Sequence, residues 1–409
     1  MLRRAAIICH LLLGLICDTI ATIASLTPLR IFFPAAADVL TDHLPHGEGL
    51  IAHELLSGLA ARGHSIVACG RVLAFRQTPP YEVAAIGGGG PFPSLAPIGY
   101  AALAARELRR RGGADSFDVA HWLFPQGAHY MLDALPQRLP LVVGPLMLAW
   151  PAPKPPLSTG RIVRRLAQPV FRLLNERALR RARRILVSVP EVSSVVAAAH
   201  RGRVRVVPFG IDETAYDVAP LPSVPTIVFV GRLVQSKGVR QLLHAFASIR
   251  EAIPDAQLRF AGEGPEAAWL QRRIGELGLE LDVELLGRVP HGEVKRLVAE
   301  CSLLCLPSDG EPFGMAILEA MAAGRAVIAG DRGGPRHLVH EEGGALVEPR
   351  NERALAAALQ SLIADPGRLR AMGAFNRRRV EREFALTAVV AAIERAHIAA
   401  TDVAATIPR

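Results

Sequence analysis

The chain has 409 residues, of which 50% are hydrophobic and 21% charged. That is a globular mixture, too long for one core and without the composition of a disordered segment, so two domains are expected. The net charge of +9 belongs to the first half: residues 1–220 hold 24 Lys+Arg against 15 Asp+Glu, whereas 221–409 hold 23 of each. Arginine dominates the basic residues, and only Lys154, Lys237 and Lys295 among the 47 are lysine. The five cysteines (Cys9, Cys17, Cys69, Cys301, Cys305) are odd in number, form no CxxC pair and mostly sit in apolar runs. They read as reduced core thiols of a cytosolic protein, and Cys301/Cys305 lack the partners a metal site needs.

The first 28 residues open with Arg3 and Arg4 and stay apolar for about twenty positions, interrupted by His10 and Asp18. A signal peptide or signal-anchor fits this pattern, and so does a start placed too far upstream, because "LRIFFP" (29–34) already reads as a first strand. We expect an extension that is spurious or membrane-associating rather than an export signal. From Leu29 the pattern alternates: strand "LRIFF", amphipathic helix "GLIAHELLSGLAARGH", strand "SIVACG", then the runs "FDVAHWLF", "LPLVVGP", "RRARRILVSV" and "VRVVPFG". Such alternation predicts a parallel sheet covered on both faces.

Residues 160–184 carry nine arginines and one glutamate, with apolar residues at roughly helical spacing. Two readings stay open, a helix that meets anionic lipid headgroups and a solvated helix face. Nucleic acid is not expected as a partner, because aromatics for base stacking are nearly absent there.

"DVAPLPSVPT" (217–226) holds three prolines and reads as a linker. A second strand–helix alternation follows, from "TIVFVGRL" to "RAVIAG". The expected units are an extension 1–28, a domain 29–216, the linker 217–226, a domain 227–385, and a C-terminal helix and tail 386–409. The fold class is α/β, with two Rossmann-like doubly wound domains facing a cleft, where ligands bind outside the carboxyl ends of strands.

Several loops that follow predicted strands carry chemistry. "FVGRLVQSKG" sets Gly231, Arg232 and Lys237 between a strand and a helix, a suitable pair of cations for a diphosphate, although surface cations are the ordinary alternative. "FAGEGPE" places Glu263 in a glycine turn, and "LLGRVP" places backbone near Arg288 and Val289 where a flat base could lie. In "SDGEPFGMAILEAMAAG" a strand ends before Ser308 and a helix starts near Phe313 or Gly314. Glu311 then stands at the cleft mouth and Glu319 a turn into the helix, with the amides of Phe313, Gly314 and Met315 pointing the same way. Carboxylates for hydroxyls beside cations and amides for phosphates describe a pocket for a nucleotide sugar; a loop glutamate and a helix-start glutamate that complements the macrodipole are the plainer alternative.

The stretches "VGRLVQSKG", "AGEGPE", "LLGRVP", "EPFGMAILE" and "RGGPRHLV", in this order and spacing, resemble glycosyltransferase family 4, whose fold is GT-B. "EPFGMAILE" fits its E-x7-E signature. The resemblance is dense over 222–360 and looser over 29–212. It implies that Arg232 and Lys237 neutralise the donor diphosphate, that Glu319 holds ribose hydroxyls, and that Glu311 with Phe313–Met315 meets the donor sugar. It also implies that His121 faces donor and acceptor, that Gly47 and Gly49 of "HGEGLIAHE" approach the phosphates, and that the anomeric configuration is retained. His46 departs from the second glycine common at that position. No D-x-D triplet occurs, so no metal and no cofactor are expected.

The expected activity is transfer of a sugar from a UDP- or GDP-type donor to a lipid-linked or saccharide acceptor in envelope glycolipid or polysaccharide synthesis. The expected location is cytoplasmic, peripheral on the inner membrane face through 160–184. A nucleotide-sugar epimerase and a non-catalytic binding subunit are the alternatives.

Overall fold

The computed structural model describes residues 27–44, 47–87, 96–123, 135–147, 176–177, 179–196 and 198–405. Two parallel sheets organise them. The first holds β1 (Arg30–Thr41), β2 (Ser65–Ala74), β3 (Glu82–Ala85), β4 (Val119–Trp122), β5 (Leu141–Leu146), β6 (Arg184–Val187) and β7 (Val204–Val206), in the order β3-β2-β1-β4-β5-β6-β7. The second holds β8 (Thr226–Val230), β9 (Gln257–Ala261), β10 (Val283–Gly287), β11 (Leu303–Leu306), β12 (Ala326–Gly330) and β13 (Gly344–Val347), in the order β10-β9-β8-β11-β12-β13. Every residue of β11 and β12 is buried, which is why "LLCL" and "AVIAG" read as continuous apolar runs rather than alternating ones.

Strand order reverses between β1 and β4 in one sheet and between β8 and β11 in the other. At such a switch the neighbouring loops run apart and leave a crevice at the carboxyl ends. The helices that follow these strands include α1 (Gly47–Ala61), α2 (Ala96–Arg110), α3 (Val239–Ile249), α4 (Ala267–Glu276), α5 (His291–Ala299), α6 (Met315–Ala322), α7 (Glu352–Ile363), α8 (Pro366–Arg379) and α9 (Leu386–Ala405).

Strand β1 is longer than "LRIFF". Pro34 has no N–H for the ladder, and pairing with β2 shifts register between Phe33 and Ala37 before resuming. The strands β3 and β13, which the sequence patterns did not single out, are four residues long and stand at sheet edges.

Two chain crossings join the halves and are bonded to each other. The Ile211 N–H donates to Phe384 O (2.9 Å) and Leu386 N–H to Ile211 O (2.9 Å). Buried Arg325 donates to the carbonyls of Ala219 (2.6 Å), Pro220 and Ala299, and Arg377 to those of Glu213 (2.9 Å) and Tyr216 (3.1 Å), so the proline-rich linker is fastened to the second half. Helix α9 returns to the first half: His64 Nε2 donates to Glu394 (2.8 Å), and Arg62 Nε donates to the same carboxylate (2.9 Å).

Candidate active site

A cleft of about 720 Å³ opens between the two halves. The first half contributes Gly47, Glu48, Leu50 and Ile51 from the start of α1, with Met147 and Phe209. The opposite wall is built from the loops after β8, β9, β10 and β11, as the strand order requires.

These loops hold one another in place. Gly231 N–H donates to Ala261 O (3.0 Å) and Leu233 N–H to Glu263 O (2.8 Å), tying the β8 loop to the β9 loop. Asp309 N–H donates to Ser236 O (2.8 Å), and Gly334 N–H to Glu311 O (2.8 Å), so the β11 loop is anchored on both sides. Within this frame Lys237 Nζ is ion-paired with Glu311, with side chains only 18% and 14% exposed. An ammonium has three donors, so this pairing leaves two for phosphate oxygens. Arg232 is exposed at the cleft and has no ion pair or side-chain hydrogen bond among the described residues.

Helix α6 begins at the floor of the cleft. Gly314, at φ 109°, takes the left-handed backbone that a side chain resists, and turns the chain from Phe313 into the helix. The first N–H groups of α6 have no intrahelical acceptor and carry the positive end of the helix dipole. Phe313 stands edge-on against Phe209 of the first half, with ring centroids 4.9 Å apart.

Glu319 lies one turn further along α6 and is 9% exposed. Burial pushes its carboxyl up to about 7; Lys295 and a hydrogen bond from Tyr216 act against this, and Glu54 adds to it. His291, at the start of α5, places Nδ1 3.7 Å from Glu319 Oε1. A buried carboxylate ringed by donors is an acceptor for vicinal hydroxyls.

Of the residues expected from the sequence, Gly47, Gly231, Arg232, Lys237, Glu263, Arg288, Val289, Glu311, Phe313, Gly314, Met315 and Glu319 all line this cleft. Gly49 does not; it packs behind the wall, where a Cβ would lie 2.0 Å from Val39 O. His121 does not line it either: it is 0% exposed, its Nε2 donates to Gly144 O (2.7 Å) and its Nδ1 faces His397, which places the ring in the core. An apolar strand that ends in histidine looks the same whether the ring turns outward or inward.

Met147, Phe209 and His291, which line the cleft, and Tyr216, Lys295 and Glu54, which act on Glu319 from outside it, were not anticipated. Lys295 alone carried a signal, as one of three lysines in an arginine-rich chain. Residues 1–26 of the expected extension, His46, and residues 160–175 and 178 of the basic stretch lie outside the described residues. Among the described residues no helix is long and apolar enough to cross a membrane.

Comparison with known proteins agrees with this architecture. The family model described as Glycosyltransferase Family 4 matches residues 47–215, and Glycosyl transferases group 1 matches 218–379. Between them they take in the whole second sheet and the first from β2 to β7, and the chain belongs to glycosyltransferase family 4. Among solved structures it is similar to sucrose-phosphate synthase from Thermosynechococcus elongatus (TM-score 0.70, 22% identity, 90% of this chain and 97% of that one). It is also similar to Anabaena HepE in complex with UDP (TM-score 0.67, 21% identity, 90% and 99%). These likenesses establish the GT-B fold. Among curated relatives, a glycogen synthase of Mycobacterium tuberculosis is 29% identical over 201 residues, 48% of this chain and 49% of the relative. A GDP-mannose-dependent phosphatidylinositol monomannoside mannosyltransferase of Mycolicibacterium smegmatis is 33% identical over 161 residues, 37% and 42% respectively. The chain spans about half or less of the length of these relatives.

Proposed function

We propose that the protein transfers a sugar, with retention, from a nucleoside diphosphate donor of the UDP or GDP type to an acceptor hydroxyl. The observation that carries this reading is the convergence of Arg232, Lys237, Glu311, the α6 N-terminus and Glu319 on one cleft wall. As the bond from the anomeric carbon to the diphosphate breaks, charge builds on the leaving oxygen. Arg232, Lys237 and the helix terminus stabilise that charge without a metal ion. The acceptor oxygen bonds to the anomeric carbon, and its proton leaves with the diphosphate. Glu319 accepts from the ribose, Glu311 orients Lys237 and the donor sugar, and the wall near Arg288 and Val289 receives the base.

The acceptor meets the first half, around Met147 and the start of α1. A lipid-linked or saccharide acceptor of envelope synthesis, met at the inner membrane face, is supported by the charge surplus of residues 1–220 and by the name of the M. smegmatis relative. Thermal-shift titration with UDP-, GDP- and ADP-sugars tests the core of this reading, since a ligand that binds only the native state raises the melting temperature. One class of donor is expected to raise it, and turnover with that donor should release free nucleoside diphosphate with an α-configured product from an α-configured donor. Epimerised sugar without transfer would favour the epimerase, and binding without turnover the silent subunit.

A further inference from the structure

The β11 loop carries Glu311 into the cleft, and three contacts hold it. Asp309 N–H donates to Ser236 O (2.8 Å), next to Lys237, and Gly334 N–H donates to Glu311 O (2.8 Å). The third contact comes from Arg350, in the turn between β13 and α7. Its Nε lies 3.0 and 2.9 Å from the two carboxylate oxygens of Asp309, and Nη2 donates to the second of them, so the guanidinium holds Asp309 by its fork. Asp309 is 13% exposed and Arg350 73%. Neither lines the cleft.

An exposed ion pair by itself contributes little. The backbone of Arg350 marks this one out. Its φ is 67°, and among the described residues no other residue except glycine has a positive φ. The left-handed region crowds the Cβ of any side chain, whereas glycine occupies it freely. The turn has its own bonds without the side chain of Arg350. Asn351 N–H donates to Glu348 O (3.2 Å), and the Asn351 side chain caps α7 by accepting from Ala354 N–H (3.0 Å). What arginine adds at this strained position is its hold on Asp309.

We infer that Arg350 is a positioning residue for the transfer: through Asp309 it fixes the β11 loop, and so keeps Glu311 and its partner Lys237 aimed at the diphosphate. Charge builds on the leaving oxygen only as the bond breaks, and an ammonium stabilises it only if already in place. Asp309 passes the constraint on twice, through the chain to Glu311 and through its N–H to the Ser236 carbonyl beside Lys237. The inference rests on the sugar-transfer reading above.

The test compares Arg350→Gly, Asp309→Asn and the double variant with wild type, as full chains. The readout is release of nucleoside diphosphate from the donor found by thermal shift, with water as the acceptor. Glycine removes the guanidinium and relieves the backbone, so Arg350→Gly should melt at or above wild type. Its kcat should nonetheless fall about tenfold, with donor KM within about threefold of wild type. Asp309→Asn keeps the N–H bond to Ser236 O and should lower kcat by a similar factor. Because both act through one contact, the double variant should be no slower than the slower single one. A merely structural role would instead lower the melting temperature of Arg350→Gly and leave kcat unchanged wherever the variant is folded. Wild-type kcat in Arg350→Gly, losses that multiply in the double variant, or a loss confined to KM overturns the inference and leaves the sugar-transfer reading intact. Wild type that releases no nucleoside diphosphate from UDP-, GDP- or ADP-sugars overturns both.

Discussion

The imidazoles of His121 and His397 meet at 2.9 Å, Nδ1 of the first to Nε2 of the second, and so pin α9 to β4 across 276 residues of sequence. Their protonation follows from the partners. His121 Nε2 donates to Gly144 O, so its Nδ1 accepts, and His397 Nε2 must donate to it. Both rings are neutral. Burial pushes the His121 pKa down to about 4, and burial with His121 and His64 nearby pushes His397 well down.

A histidine whose folded pKa is depressed contributes stability above its unfolded value, and that stability is lost as pH falls from about 6.5 toward the folded value. The chain is therefore expected to lose melting temperature steeply between about pH 6.5 and 4, at up to ~1.4 kcal/mol per pH unit for each ring. His397→Leu should be less stable than wild type at pH 8, because His121 Nδ1 loses its donor. It should also show a shallower fall on acidification. Equal acid slopes for variant and wild type would assign the transition to other groups.

Lys237→Ala removes the ammonium beside Glu311. Loss of one preorganised charge at a leaving group costs about two to three orders of magnitude in turnover. The pair is largely buried, with side chains 18% and 14% exposed, so the variant leaves Glu311 unpaired and should also melt below wild type; turnover is compared at a temperature where both are folded. A variant that keeps wild-type turnover on the donor found by thermal shift would remove Lys237 from the reaction.

Why the second half was more legible than the first follows from particular residues. Buried parallel strands such as "LLCLPS" and "RAVIAG" announce themselves by composition, and the chemistry sits on short loops directly after them, so the loops of Arg232, Lys237, Glu311 and Glu319 could be located, while the resemblance to glycosyltransferase family 4 supplied their roles. The orientation of His121 depends instead on α9, which arrives from the other end of the chain. Nothing local to "VAHWLF" encodes the carbonyl of Gly144 or the ring of His397 that claim it. Glu54 and Lys295 were hidden for the same reason: each looks like an ordinary helix charge until the two halves are brought face to face.

Glu319→Gln separates binding from stability. The folded carboxyl is raised to about 7 from an ordinary value near 4.5. The sign is opposite to that of the histidines: this group's contribution is fully present below about pH 4.5 and is lost as pH rises through about 7. Glutamine cannot ionise, and its oxygen still accepts from Tyr216. The variant should match wild type near pH 4.5 and exceed it at pH 8.5, by on the order of 3 kcal/mol at most. It should also lose nucleoside diphosphate binding, because the strong acceptor for ribose is gone. Melting curves across pH, read beside calorimetry, check both halves of the prediction. A variant destabilised at pH 8.5 would mean that Glu319 is held as a stabilising anion.

Gly47 and Gly49 look alike in "HGEGLIAHE" and should behave differently. Gly47 is exposed at the cleft, and a Cβ there meets nothing within 4 Å. Gly49 is buried against β1, where a Cβ would fall 2.0 Å from Val39 O and 3.1 Å from Thr41 Cγ2. The first of these neighbours is backbone and cannot swing aside, so α1 would have to move off the sheet. Gly49→Ala is expected to cost about 2 kcal/mol or more through overpacking. Gly47→Ala should stay within about 0.5 kcal/mol of wild type, because the added methyl projects into solvent and alanine favours helix. Any effect of Gly47→Ala should appear instead as weaker donor binding, since only its own surface faces the cleft. Denaturant midpoints and nucleotide affinities for the two variants decide it, and equal loss of stability in both would show that α1 does not meet β1 as described.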